Sequence, residues 1–252
     1  MLLIFESGNT TTNVIVRDDN EIKLFHKLLD SQIKTEDDLN DILKHLFELN
    51  NIDIKDIKEV VISSVVTKLE KLEEDYCKMN NLPFFNIKNE NVKLNFKKRQ
   101  GLGSDLTANI FNAIDIYKQN IIVIDMGTAT TFSVINEKGE AVGCSFIAGV
   151  KTTLEALSSK CDLLPEIDIE EPKSVMGNTT IEAMQSGLYF GYIGILKEIV
   201  QTIKNELNNQ DMQVIMTGGY SKKFIDKLDF VTQYVPDLTT EGIYKIYKFN
   251  TK

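Results

Sequence analysis

Residues 121–135 read IIVIDMGTATTFSVI, and residues 2–17 read LLIFESGNTTTNVIVR. Laid over one another at an offset of 119, Glu6 falls on Asp125, Gly8 on Gly127, Thr11 on Thr130 and Thr12 on Thr131, with apolar residues on both flanks. Each copy is an apolar strand ending in an acid, a turn of glycine and hydroxyl residues, and a second strand. Such self-similarity outranks any local assignment, because it implies two copies of one supersecondary unit. The expectation is an α/β chain of two related lobes, residues 1–118 and 119–252, divided near Lys118 to Asn120.

The flanking sequence extends both copies. Leu2 to Phe5, Asn13 to Arg17 and Ile22 to Phe25 predict a three-stranded antiparallel meander. Leu39, Ile42, Leu43, Leu46 and Phe47 share one face of a helix over about 36–50. A β-branched stretch at 59–66 reads as a buried strand, and 68–79 and about 105–118 read as helices. In the second half, 121–124, 132–135 and 141–146 predict strands. Residues 174–205 predict a helix interrupted by glycines between Gly187 and Gly194. A strand at 214–216, a short helix at 221–228, a strand at 230–235 and a closing helix at 238–247 complete the pattern.

Composition excludes several classes. A net charge of -9 over 252 residues argues against a nucleic-acid partner, whose phosphates need a basic face. The run Lys97-Lys98-Arg99 is either a solvated loop or the border of an anionic ligand's site. No stretch approaches the roughly 18 apolar residues of a membrane span, and the first residues lack a basic n-region, so a cytoplasmic protein is expected. Cys77, Cys144 and Cys161 form no CxxC pair, which suits a reducing compartment and buried or semi-buried side chains. His26 and His45 show no zinc-ligand spacing.

The two turns have a physical use. Glycine at 8 and 127 lets backbone N–H groups approach a ligand, and successive N–H groups make an anion-binding concavity. Threonine hydroxyls add donors, and Glu6 and Asp125 can hold a hard cation directly or through water. One such turn is often only a hairpin; two favour phosphate binding. Thr217-Gly218-Gly219 reads equally as a third such turn, against an adenosine, and as an ordinary tight turn. Gly101-Leu102-Gly103-Ser104-Asp105 ends in a carboxylate at a helix start, which is either a cap or a general base on a loop tip.

Glu6-x-Gly-Asn-Thr, Gly103-x-Asp105, Asp125-x-Gly-Thr-Ala-Thr-Thr, the run Thr180 to Gly187, Thr217-Gly218-Gly219 and Leu238 to Gly242 together resemble type III pantothenate kinases, in that family's order and over nearly the whole chain. The resemblance implies the acetate and sugar kinase/Hsp70/actin fold, two ribonuclease-H-like lobes with a nucleotide cleft between them. It implies ATP-dependent phosphorylation of pantothenate to 4'-phosphopantothenate, the first step of coenzyme A biosynthesis, with Mg²⁺ and a monovalent cation (K⁺ or NH₄⁺). It implies a homodimer with the site near the subunit interface. By position, Glu6, Ser7, Gly8, Asn9, Thr10, Thr11, Thr12 and Asn13 would grip the ATP phosphates, Thr128 would contact ATP, and Asp125 would bind the monovalent cation. Asp105 would accept the hydroxyl proton, and Phe96, Gly103, Ser104, Asp105, Leu106 and Thr180 would line the pantothenate side; Thr180 also reads as a helix N-cap.

The chain departs from that pattern at four places. Glu6 replaces an Asp, a change that a water-bridged Mg²⁺ can absorb. Leu106 replaces an Arg that would pair with the pantothenate carboxylate. Phe96 replaces a Tyr, and Arg99 stands where a Pro is usual and is a candidate substitute for the lost cation. These departures keep two other readings open: a catalytically weak nucleotide-binding paralogue with a regulatory role, and a kinase for another small alcohol.

Overall fold

Strand β1 (Leu2–Ser7) is apolar on both faces up to its acid, which suits a central strand covered on both sides. It pairs antiparallel with β2 (Thr11–Arg17), and β2 with β3 (Ile22–Leu29). On its other edge β1 runs parallel to β4 (Glu59–Ser64), which pairs with a three-residue strand, β5 (Phe84–Asn86). The order is β3-β2-β1-β4-β5. The computed structural model describes residues 1–88, 92–97 and 101–251.

The second sheet repeats the first. β6 (Ile121–Met126) pairs antiparallel with β7 (Ala129–Ile135), and β7 with β8 (Ala141–Ala148). β6 runs parallel to β9 (Gln213–Thr217), and β9 to β10 (Gln233–Tyr234). The order β10-β9-β6-β7-β8 matches the first sheet strand for strand, so the chain holds the two related copies that the repeat predicted, each with the ribonuclease-H-like α/β arrangement that the resemblance implied. Both copies carry a register irregularity at the same place, between Val16 and Arg17 and between Val134 and Ile135.

One detail of the repeat needs correction. Gly8, Asn9 and Thr10 link β1 to β2, whereas only Gly127 and Thr128 link β6 to β7. Glu6 therefore opposes Asn13, while Asp125 opposes Thr131. After the turn the equivalent residues are Thr12 with Thr130 and Asn13 with Thr131, one place from the ungapped match. The threonine-rich runs on both sides let the sequence hide the missing residue.

Helices close each core. α1 (Glu36–Leu49) starts in a capping box, the Thr35 hydroxyl accepting from the Asp38 N–H at 3.2 Å and the Asp38 carboxylate from the Thr35 N–H at 3.0 Å. With α2 (Thr67–Met79) it buries Leu39, Leu43, Phe47, Leu69, Leu72 and Tyr76 against Leu3, Phe5, Val14 and Val16. In the second core, α4 (Val150–Lys160) contributes Val150 and Leu154, and α5 (Thr180–Glu206) contributes Tyr189, Tyr192, Leu196 and Val200. α5 is continuous and begins at 180, so the glycines do not interrupt it. Each costs about 1 kcal/mol in a helix interior, offset here by the buried aromatic and aliphatic face. β5 and α4 were not anticipated, and 221–228 forms two 3₁₀ turns rather than a helix. Cys77 is buried as expected, but Cys144 and Cys161 are exposed. Among the described residues no helix is long and apolar enough to cross a membrane.

The chain divides into two compact units, Met1–Asn112 with Thr239–Lys252, and Ala113–Leu238. The sequence division at 118/119 had left the closing helix, α6 (Leu238–Thr251), with the second lobe, whereas all of it after Leu238 groups with the first unit. Arg17 donates to Glu241 at 2.7 Å with its guanidinium 3.6 Å from the Tyr244 ring centroid, and the Tyr247 hydroxyl donates to Glu59 at 2.7 Å.

Candidate active site

The first acid-ended turn is closed by the Gly8 N–H donating to the Thr11 carbonyl at 3.0 Å. Glu6, at the end of β1, is half-buried. Its Oε2 accepts from the Thr240 hydroxyl at 2.6 Å. Burial pushes its carboxyl up from the ordinary range, while hydrogen bonds from Thr240 and Asn13 and the Lys27 charge pull it back. Asn9 and Thr10 are exposed at the tip, and Thr11 is half-buried. Across from Glu6, Asn13 keeps a buried Oδ1 without a hydrogen-bond partner.

Ser7 and Thr12 face the other way. Both are buried, and the Thr12 hydroxyl lies 3.0 Å from Ser7 Oγ and 2.9 Å from Asp30 Oδ1. Ser7 Oγ in turn contacts Glu73 Oε1. What these two residues offer a ligand at the turn is main chain, since their hydroxyls are engaged inside. The chain Glu73–Ser7–Thr12–Asp30 has three oxygen–oxygen contacts, and each needs a hydrogen. Two hydroxyls supply two, so the third belongs to a carboxyl group. Glu73 is 2% exposed, and burial pushes it up to about 8, which makes it the protonated acid at neutral pH.

α3 (Ser104–Tyr117) begins one residue before Asp105, so Asp105 is inside the first turn and is not the cap. Its Oδ1 accepts from the Leu106 N–H at 2.7 Å, at the positive end of the helix dipole. Burial raises its carboxyl, opposed by the Leu106 and Asp105 N–H groups and by the charge of Lys88. Gly103 makes room for it: a Cβ there would lie 2.6 Å from Asp105 Oδ1. Ser104 is buried with its Oγ unpartnered, and Leu106 and Phe96 are buried apolar side chains, 6% and 9% exposed. Lys97 is exposed; Lys98 and Arg99, including the proposed substitute cation, lie outside the described residues.

In the second unit Asp125 sits between Thr131 on β7 and Thr217 on β9. The turn is closed by the Gly127 N–H donating to the Ala129 carbonyl at 3.1 Å. Thr128 is exposed, and its carbonyl accepts from the Gly149 N–H at 3.0 Å and the Thr152 hydroxyl at 2.7 Å. Gly218 has φ +96, and a Cβ there would fall 2.4 Å from the Met126 nitrogen and 2.6 Å from Asp125 Oδ1. The 217–219 turn therefore needs its first glycine to pass against the acid strand, whereas Gly219 has open space around it.

Thr131 carries a buried Oγ1 without a partner. Positions 13 and 131 are equivalent, both face the acid, and both hold an orphaned oxygen. Buried polar atoms without partners are rare, and their recurrence marks places where an oxygen-liganded cation or its water fits. Glu6 with Asn13 offers the hard oxygen donors suited to Mg²⁺; Asp125 with Thr131 offers the same to an alkali ion.

The expected cap at Thr180 belongs to Thr179, whose Oγ1 accepts from the Glu182 N–H at 3.2 Å while Glu182 accepts from the Thr179 N–H at 3.2 Å. Thr180 is the first helical residue and is exposed. The sequence reading quoted Thr240 only within the 238–242 run and gave it no role, and it missed Glu73 and Asp30, whose partners are distant in the chain, and Gly149, whose Cβ would meet the Gly127 oxygen at 2.3 Å.

The family model for type III pantothenate kinase matches residues 2–202. Among solved structures the fold is similar to a conserved putative Baf family transcriptional activator from Campylobacter jejuni, at TM-score 0.63 and 18% identity over 98% of each chain. It is similar to the ethanolamine utilization protein EutJ from Carboxydothermus hydrogenoformans, at TM-score 0.55 and 16% identity over 96% of this chain and 88% of that one. A third likeness is to the activator of the 2-hydroxyisocaproyl-CoA dehydratase from Clostridium difficile with bound ADPNP, at TM-score 0.51 and 12% identity over 98% and 94%. At these identities the likeness concerns fold, and the fold is of the acetate and sugar kinase/Hsp70/actin type.

Proposed function

Because the chain belongs to the type III pantothenate kinase family, we propose that it transfers the γ-phosphoryl group of ATP to the hydroxyl of pantothenate, in the cytoplasm and as the first step of coenzyme A biosynthesis. The observation that carries this reading is the repeated turn: two acids, Glu6 and Asp125, each opposite an orphaned buried oxygen and followed by a glycine turn.

The turn residues from Gly8 to Thr11, with Thr128, bind phosphate oxygens through N–H and hydroxyl groups. Glu6 and Asn13 would hold Mg²⁺, which when bound supplies positive charge to offset that of the phosphates, and Asp125 and Thr131 would hold the monovalent cation. Asp105 accepts the proton of the attacking hydroxyl. Its raised carboxyl makes it a better base than an exposed aspartate, and its place on the first turn of α3 fixes its direction. Ser104 and Thr180 would each contact the acceptor, as the family resemblance implies. The buried Leu106 and Phe96 favour a second reading, an acceptor alcohol without a carboxylate.

The homodimer expected of the family fits the outer face of α5. Ala183, Gly187, Gly191 and Gly194 fall on one helical face, all exposed, and Ile181, Phe190 and Ile195 are 47%, 40% and 40% exposed. Mass spectrometry of acceptors incubated with the protein, ATP, Mg²⁺ and K⁺ tests the substrate. Phosphorylated pantothenate supports the proposal. A product with a decarboxylated analogue alone supports the second reading, and nucleotide binding with no product from either supports a regulatory paralogue.

A further inference from the structure

Glu6 stands on a side chain with three rotatable bonds, and fixing such an arm costs up to about 2 kcal/mol of rotamer entropy. A cation-binding carboxylate at that position needs a second anchor. The closing helix supplies one. Three consecutive residues of its first turn reach three different elements of the first unit: Thr239 donates to Asn109 on α3 at 2.8 Å, Thr240 donates to Glu6 on β1 at 2.6 Å, and Glu241 accepts from Arg17 on β2 at 2.7 Å. At the next residue, Gly242, a Cβ would lie 2.2 Å from the Ala108 carbonyl oxygen, so α6 and α3 meet backbone to backbone. Lys245 adds a bond to Asn112 at 2.9 Å. Thr240 is 5% exposed, which shields its bond to Glu6 from water.

The same turn therefore touches the strand that ends in Glu6 and the helix that begins beside Asp105. The charge of Asp105 is felt at Glu6, so where the Glu6 carboxylate stands relative to it matters. We infer that Thr240 is a positioning residue: it anchors the Glu6 carboxylate, and the first turn of α6, locked to α3 at Gly242, sets where that carboxylate stands relative to Asp105. Thr240 acts through Glu6 and takes no part in the chemistry. The inference rests on the kinase reading, and on Glu6 as a cation ligand.

The test is calorimetric binding of a non-hydrolysable ATP analogue to the full chain, with Mg²⁺ and with EDTA, for wild type, Thr240→Val and Thr240→Ser. Valine keeps the shape and removes the donor; serine keeps the donor. The expected result is a loss of about tenfold in affinity for the Mg²⁺ complex in Thr240→Val, the size of a lost hydrogen bond to a charged group. Metal-free binding should be unchanged in Thr240→Val, and Thr240→Ser should bind as wild type. If valine prevents folding, Thr240→Ala replaces it with the same expectation. Equal affinity in wild type and Thr240→Val would overturn the inference and leave the kinase reading standing. So would an equal loss with and without Mg²⁺, or no rescue by serine. A wild type that binds the analogue no better with Mg²⁺ than with EDTA would overturn the inference together with the metal assignment beneath it.

Discussion

Replacing Glu73 by Gln should flatten the pH dependence of stability. In the wild type Glu73 is buried at 2% exposure and titrates near 8 instead of 4.5, with Asp30 and Glu70 raising it further and Lys88 opposing them. The folded state thus holds a proton that the unfolded chain gives up near 4.5. Between those values the folded state binds more protons, so raising the pH favours unfolding. The contribution is intact below about 4.5 and is lost as pH rises through about 8. Each pH unit in that window is worth about 1.4 kcal/mol, so from about pH 6 to about pH 9 the fold should lose about 2.7 kcal/mol through this group. Glutamine is a permanently neutral isostere whose amide can donate to Ser7, so it should keep the hydrogen-bonded chain to Asp30 at every pH. Urea unfolding of both proteins at several pH values in that range gives the difference directly. The account expects the two stabilities to converge toward low pH and the variant to gain on the wild type as pH rises. Parallel curves would refute the proton count beneath the first turn, and would mean that Glu73 is ionised in the fold.

Two other predictions test separate parts of the molecule. Gly218→Ala places a Cβ within 3 Å of the Met126 nitrogen and of Asp125 Oδ1 at a positive φ; it should destabilise by about 2 kcal/mol or more and abolish any activation by K⁺, read by thermal unfolding and by rates with and without the ion. Leu106→Arg should lower KM for pantothenate by supplying a partner for its carboxylate, while its burial lowers Tm; an unchanged KM in a folded variant would show that position 106 does not face the acceptor.

The sheets were legible because continuous apolar, β-branched runs buried on both faces carry their own signal, and because Glu6 and Asp125 stand near the ends of matching strands. The register after the turn was not, since Thr10 to Thr12 slide over 128–131 with Ala129 opposite a threonine in either register, and nothing marks the gap. β5 rests on three residues, too short for any pattern, and α4 contains Thr152-Thr153 and Ser158-Ser159, weak helix formers held by Val150 and Leu154 in the core. The cap of α5 was misplaced by one because Thr179 and Thr180 are adjacent and only geometry separates them. Thr240 lies 234 residues from Glu6, and a contact of that range leaves no local trace. Nothing local distinguishes Glu73 and Asp30 from other acids of the chain; their role comes from the inward-facing Ser7 and Thr12, which they meet in the fold.

The central claim, that Asp105 is the base of a pantothenate kinase, is tested most directly by the rate of phosphopantothenate formation in wild type and Asp105→Asn, with ATP affinity measured on the same samples. The account predicts a loss of about a hundredfold or more in rate with ATP affinity unchanged. An Asp105→Asn protein that phosphorylates pantothenate at the wild-type rate would contradict it.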